Sequence, residues 1–297
     1  MKEKQEKKKR KHRVSNLILV LILFIGIAIA GYPAFSEYWN NMHQSRAIMG
    51  YAERVAEMTN EEYETVWNAA LRYNERLLDM PNRWLIEGED LDYYETQLNV
   101  DATGNMGFIS IPKIDVNLPI YHGTSDAVLQ TSIGHITGTS LPAGSTHSDE
   151  EDWLKPDFAS HSVLSGHRGL PSARLFSDLD ALEVGDVFYL TILDQTLTYR
   201  VDKITVIEPE DISELEIIPG MDLCTLMTCT PYGINTHRLL VRGTRIENEK
   251  NYLDIRVTAD AIKIQPLYVA PFIAVPVLLL MVLWVLLITS GHHKRRG

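Results

Sequence analysis

Two long apolar runs near the ends of this chain limit what the rest of it can become. Residues 17–30 are apolar without interruption, and Gly31-Tyr32-Pro33-Ala34-Phe35 extends the run to about the length that crosses a bilayer. Residues 267–288 form the second run and contain no charge. Basic residues flank each on one side, Lys2 to Arg13 before the first and Lys294-Arg295-Arg296 after the second. Lys- and Arg-rich flanks stay in the cytoplasm. Both chain ends are therefore expected inside the cell, and residues 36–265 outside. The first run also reads as a cleaved leader, since its start is basic and Ala28-Ile29-Ala30 is a small-x-small site. Retention is the preferred reading, because the run is long and the second one supplies a membrane address in any case. The second is too long, and too close to a basic tail, for a buried core helix.

With the tails set aside, the charge becomes informative. The whole chain carries −11, of which residues 1–16 hold +6 and the last four residues +3, leaving −20 between them. A segment this acidic does not bind nucleic acid by charge and favours basic or lysine-bearing partners, although acidity also serves solubility. There are two cysteines, Cys224 and Cys229, and so no disulfide framework. Along one extended strand their Cα atoms would stand about 16 Å apart, beyond disulfide reach. Cys229 is then a free thiol outside the cell, a liability unless it is used. Cys224 reads as a small buried hydrophobe.

Cys229 ends a short β-prone run, Thr225-Leu226-Met227-Thr228-Cys229, and Arg238 begins another, Arg238-Leu239-Leu240-Val241. Between them Pro231, Gly233 and Asn235 are turn formers. If the two runs pair as a hairpin, Cys229 and Arg238 face each other at one rim of the sheet. A guanidinium beside a thiol favours the thiolate and makes a nucleophile. A proton carrier is available in Leu164-Ser165-Gly166-His167-Arg168-Gly169, a glycine-bounded turn after an apolar run. His122, His135, His147, His161 and His237 compete with His167, and Arg168 and Arg242 compete with Arg238. No Cys-x-x-Cys, His-Glu-x-x-His or P-loop pattern is present, so no metal or other cofactor is implied.

Thr-Leu-x-Thr-Cys with an Arg nine positions later, preceded by Ser-Gly-His-Arg, resembles the signature of sortases, the cysteine transpeptidases of Gram-positive surfaces. The resemblance covers roughly residues 106–246 and takes in Gly107-Phe108-Ile109-Ser110-Ile111-Pro112-Lys113-Ile114, Leu118-Pro119-Ile120-Tyr121-His122-Gly123-Thr124, the segment from Gly134 to Pro142, and the segment from Gly169 to Phe176. Class C, the pilin-polymerising sortases, is the nearest likeness. It implies Cys229 as nucleophile, His167 as general acid and base, and Arg238 as stabiliser of oxyanion and substrate. It also implies cleavage of an LPxTG-like sorting signal between Thr and Gly, with transfer to a pilin lysine during pilus assembly. The expected partners are pilins or surface proteins with such a signal, a lysine amine acceptor and the membrane. A thiol hydrolase with the same residues, and a non-catalytic scaffold that presents pilins, stay open as alternatives.

The fold expected is mainly β: an eight-stranded sortase-like barrel with an N-terminal helical arm, flanked by two transmembrane helices. Short strands are expected at 107–111, 118–121, 162–165, 187–193, 197–208, 223–229 and 238–246. Residues 36–78 are helical in character, with Thr59-Asn60-Glu61-Glu62 as a cap. The expected order is a basic cytoplasmic tail (1–16), a transmembrane helix (17–35), an extracellular arm with a possible lid (36–105), the barrel (106–248), a linker (249–266), a second transmembrane helix (267–289) and a basic tail (290–297). Class C enzymes usually carry an Asp-Pro-aromatic lid over the thiol, which this chain lacks. Asp79-Met80-Pro81 with Trp84 is the nearest substitute, and Trp84 either covers the thiol or packs the arm. An acidic insertion at 148–160, with Trp153 and Phe158, reads as a solvated loop or as a second cover for the site; its spacing does not suit an EF-hand.

Overall fold

The structure is a computed structural model that describes residues 2–144 and 159–248. The second apolar run, the linker before it and nearly all of the acidic insertion lie outside the described residues. A first helix, α1, runs through Lys2–Ala56 and contains Pro33. Among the described residues, α1 holds the one stretch long and apolar enough to cross a membrane, Ile18–Ala56. Trp39–Asp254 forms one compact unit, so the last third of α1 belongs to the same body as the barrel.

Helix α2 (Asn60–Leu78) starts as the sequence predicts. The Glu62 N–H donates to Thr59 Oγ1 at 3.2 Å, and the Thr59 N–H donates to the Glu62 carboxylate at 2.8 Å. This reciprocal box satisfies two N–H groups that a helix start leaves unpaired. α2 buries Ala70, Leu71, Tyr73, Asn74 and Leu77, the i, i+3, i+4 face its sequence provides. A short helix, α3 (Glu89–Thr96), buries Tyr94. Its stretch reads as mixed and acidic in the sequence, and the carboxylates of its first turn hide a helix held by buried Tyr94, with Leu91 and Tyr93 packed against the core.

Eight strands close into a barrel: β1 (Asn105–Ile111), β2 (Val116–His122), β3 (Ile133–His135), β4 (Ala159–Ser165), β5 (Val187–Ile192), β6 (Gln195–Ile207), β7 (Met221–Thr230) and β8 (His237–Ile246). Their order around the barrel is β1-β2-β3-β4-β7-β8-β6-β5. Pairs β2–β3 and β4–β7 are parallel and the others antiparallel. The parallel β4–β7 pair joins strands far apart in sequence. The sequence predicts seven of the eight; β3 is too short to show an alternation. Gly243 on β8 illustrates the packing inside: a Cβ there would stand 2.7 Å from the Phe188 ring, which stacks on Tyr199 at 5.5 Å.

Two histidines are walled into this framework as neutral rings. His135 Nε2 donates to the Ser140 carbonyl at 2.8 Å, and Nδ1 accepts from the Tyr94 hydroxyl at 2.9 Å. His161 Nδ1 donates to the Glu216 carbonyl at 2.8 Å, and Nε2 accepts from Thr225 Oγ1 at 2.7 Å. Burial pushes both down from the ordinary 6.5 to about 4. The unfolded chain takes up these protons near pH 6.5 and the folded one near pH 4, so the stability they contribute is complete above that window and is lost as pH falls through it. Each ring is worth up to about 3 kcal/mol over the window. Urea unfolding midpoints at pH 7, 5.5 and 4.5 should fall steadily; a flat profile would show that the rings are not held neutral.

Candidate active site

Strands β7 and β8 form an antiparallel hairpin in which Cys229 pairs with Arg238 and Thr230 with His237. The connection turns on its own backbone, because the Pro231 carbonyl accepts from the N–H groups of Ile234 and Asn235, both at 3.0 Å. Gly233 (φ 76°) and Asn235 (φ 61°) take left-handed conformations, which suits their residue types. Arg238 Nη1 donates to the Asn235 carbonyl at 3.4 Å and to its neighbour His237 at 3.2 Å, so the loop that follows the cysteine also holds the arginine. Cys229 is a half-buried free thiol, while Cys224 is fully buried and burial pushes its thiol well up.

His167 comes from the other side of β7. The parallel register of β4 and β7 ends with Ser165 beside Met227. Beyond it the Gly166 N–H donates to the Met227 carbonyl at 3.0 Å and Thr228 Oγ1 donates to the Gly166 carbonyl at 2.8 Å. Parallel neighbours lie about 4.8 Å apart, so the same register carried two residues on sets His167 at the level of Cys229. Gly166 is required for this approach: a Cβ would stand 2.6 Å from Ile133 and 2.7 Å from Phe176. After His167 the chain closes a loop, with the Phe176 N–H donating to the His167 carbonyl at 3.1 Å and the Gly169 N–H to Ser177 Oγ at 3.1 Å.

The competing residues have other partners. Arg168 pairs with Asp180 and lies over the Tyr232 ring at 5.7 Å, joining the two loops at the rim. Arg242 grips Asp202 with two bonds of 3.1 and 2.7 Å. Among the described residues Arg238 has no such carboxylate. His122 Nδ1 donates to the Gly104 carbonyl (2.9 Å), His135 and His161 are the neutral buried rings, and His147 lies outside the described residues. His237 stands at the rim but faces Glu208 at 3.2 Å.

Cys229 and Met227 lie two apart on β7, as Arg238 and Leu240 do on β8, so each couple shares one face of the sheet. On that face Val163, Ile207, Leu215 and Leu240 form an apolar cluster, and Trp84, Ile136 and Met227 pack against it. Trp84 thus packs on the barrel face that carries Met227 and Leu240, the residues two places from Cys229 and Arg238 on their strands. The residue that fixes it is one the sequence does not single out, Arg83. Its guanidinium stacks on the Trp84 ring at 4.3 Å and donates to the carbonyls of Gly138 (2.9 Å) and Leu215 (3.3 Å) and to the Glu216 carboxylate (2.6 Å). Nothing but its place beside Trp84 marks Arg83 in the sequence. Asp79 is exposed and ends α2, its N–H donating to the Arg76 and Leu77 carbonyls. Among the described residues no group of three or more His, Cys, Asp or Glu side chains is arranged to hold a metal ion.

A family profile described as "Sortase domain" matches residues 109–246, from β1 to the end of β8. Sortase A of Streptococcus agalactiae is 30% identical over 46% of this chain and 51% of its own length, so that match spans about half of the relative. Among solved structures, sortase C1 of Streptococcus agalactiae is 51% identical with a TM-score of 0.62, covering 69% of this chain and 100% of that one. Sortase C of Streptococcus pneumoniae is 39% identical with a TM-score of 0.57, over 68% of this chain and 97% of that one. Sortase C of Clostridium perfringens, solved with the C-terminal cell wall sorting motif, is 40% identical with a TM-score of 0.57, over 69% and 100%. With the eight-stranded barrel and the Cys229–Arg238 hairpin, these likenesses establish that the chain belongs to the sortase family, with class C sortases as its structural neighbours.

Proposed function

We propose that this protein is a membrane-anchored cysteine transpeptidase that cleaves an LPxTG-like sorting signal between Thr and Gly and joins the new carboxyl end to a pilin lysine. The observation that carries the reading is the pairing of Cys229 with Arg238; the fastening of the Ser165–Gly166 segment to β7 supports a place for His167 at the same level. Cys229 Sγ attacks the Thr carbonyl and forms a thioacyl bond. His167 gives a proton to the departing glycine amine and later takes one from the incoming amine. Arg238 receives the charge that develops on the carbonyl oxygen. The apolar face of Met227 and Leu240 suits the Leu and Pro of such a signal, and the acidic ectodomain suits a lysine acceptor. The C. perfringens neighbour with its sorting motif supports the peptide class.

Mass spectrometry of the purified protein with a Leu-Pro-x-Thr-Gly peptide and a lysine-bearing pilin domain tests this. A thioacyl adduct on Cys229 followed by an isopeptide product is expected. Adduct followed only by free acid would mean a hydrolase, and no adduct at all a scaffold. For the membrane arrangement we read α1 as a retained anchor and both termini as cytoplasmic, supported by the basic residues at each end. Protease added outside intact cells should leave both tails uncut.

In this reading Trp84 covers the apolar face beside the thiol, and Arg83 latches it there. Freeing the latch removes hydrogen bonds worth about 1–3 kcal/mol. Arg83→Ala and Trp84→Ala should therefore each raise the alkylation rate of Cys229 by a small reagent about tenfold. An unchanged rate in both would remove the segment from any covering role.

A further inference from the structure

Past the apolar run, one face of α1 is covered while the others stay open. Asn40, Gln44, Ala47, Ile48, Tyr51, Arg54 and Val55 recur at helical spacing and are half-buried or buried. Four of these residues donate to main-chain carbonyls: Asn40 Nδ2 to Ser172 at 2.8 Å, Gln44 Nε2 to Thr131 at 2.6 Å, Tyr51 Oη to Met106 at 2.9 Å and Arg54 Nε to Val100 at 3.3 Å. Tyr51 also accepts from the Leu193 N–H at 2.8 Å, which ties this end of the helix to the barrel.

The first two of these bonds lead to the catalytic side. Ser172 sits in the loop that leaves His167 and returns at Phe176. Thr131 stands two residues before Ile133. Phe176 and Ile133 are the side chains that press on Gly166, the residue before His167, closely enough to exclude a Cβ. Both segments that wall in Gly166 are thus tied to one helix, by amides a single turn apart.

We propose that Asn40 and Gln44 are positioning residues, holding the segments around Gly166 so that His167 stays level with Cys229. The helix that continues from the apolar run would then set the alignment of the reacting groups. The inference rests on the reading of His167 as the proton carrier.

The test uses the full chain in detergent micelles, with Asn40→Ala, Asn40→Asp and Gln44→Ala. Asn40→Asp keeps the shape but replaces the donor with an acceptor facing a carbonyl. Amide hydrogen exchange over residues 166–177 should accelerate about tenfold in each variant, while the remaining strands stay protected. For peptide cleavage kcat should fall about tenfold with KM within twofold, and Asn40→Asp should be no better than Asn40→Ala. Unchanged exchange over 166–177 overturns the proposal. So does a uniform rise in exchange with a matching fall in the unfolding midpoint, which marks a merely structural contact. A wild type that forms no thioacyl adduct, combined with faster exchange in the variants, discards the transpeptidase reading and keeps the tie between α1 and this loop.

Discussion

Cys229→Ala is expected to abolish cleavage of the sorting peptide, by on the order of 10⁴-fold or more, while leaving the fold intact. The size follows from the chemistry. Without the thiol no thioacyl bond forms, and Arg238 and His167 are left to act on water alone. Cys229 is half-buried at a strand end, so its loss opens no cavity in the core. Cys224→Ala should do the reverse. That thiol is fully buried among the inward side chains of the barrel, and its removal should cost about 1 kcal/mol of stability with turnover unchanged. Intact-mass detection of the peptide adduct, with unfolding midpoints for both variants, separates the two roles. An adduct that persists in Cys229→Ala would place the nucleophile elsewhere.

The contrast between the two cysteines was legible in the sequence, and the reason is local. Cys229 ends the expected strand 223–229 next to a cluster of turn formers, whereas Cys224 stands near that strand's start, away from the turn. Once β7 pairs with β8, the alternation of a strand sends Cys224 inward and Cys229 to the outer face with Met227. The Thr59 box was equally legible, because a cap is written in four consecutive residues. What the sequence hides depends on contacts between distant segments. The three residues of β3 carry no period, α3 is masked by its carboxylates, and the anchors from Arg83 to Gly138 and Leu215 join parts of the chain far apart in number. The same holds for the two amides of α1: Asn40 and Gln44 look like ordinary polar positions on a helix until Ser172 and Thr131 are found against them.

Arg238→Ala should lower kcat about 10²–10³-fold, equivalent to about 3–4 kcal/mol of transition-state stabilisation. The guanidinium is free to do this because its geometry is prepared by groups that do not neutralise it. The carbonyls of Asn235 and His237 hold it, and its cross-strand partner is Cys229 itself. Arg242, four residues along the same strand, has the opposite arrangement. Its guanidinium is committed to Asp202 by two bonds, and truncating it should change turnover little and stability by no more than about 1 kcal/mol. Arg238→Lys distinguishes charge from shape. An ammonium keeps the charge but lacks the planar fork, so it cannot keep its place on the loop carbonyls and reach the oxyanion together. It should recover only part of the lost rate. If Arg238 acts on the transition state, kcat and kcat/KM fall together; if it only orients the substrate backbone, KM rises and kcat holds. Single-turnover acylation of the Arg238 and Arg242 variants measures the difference directly. A loss in Arg242→Ala equal to that in Arg238→Ala would mean that the strand tolerates no change there, and that the rim pairing of Cys229 with Arg238 carries no special role.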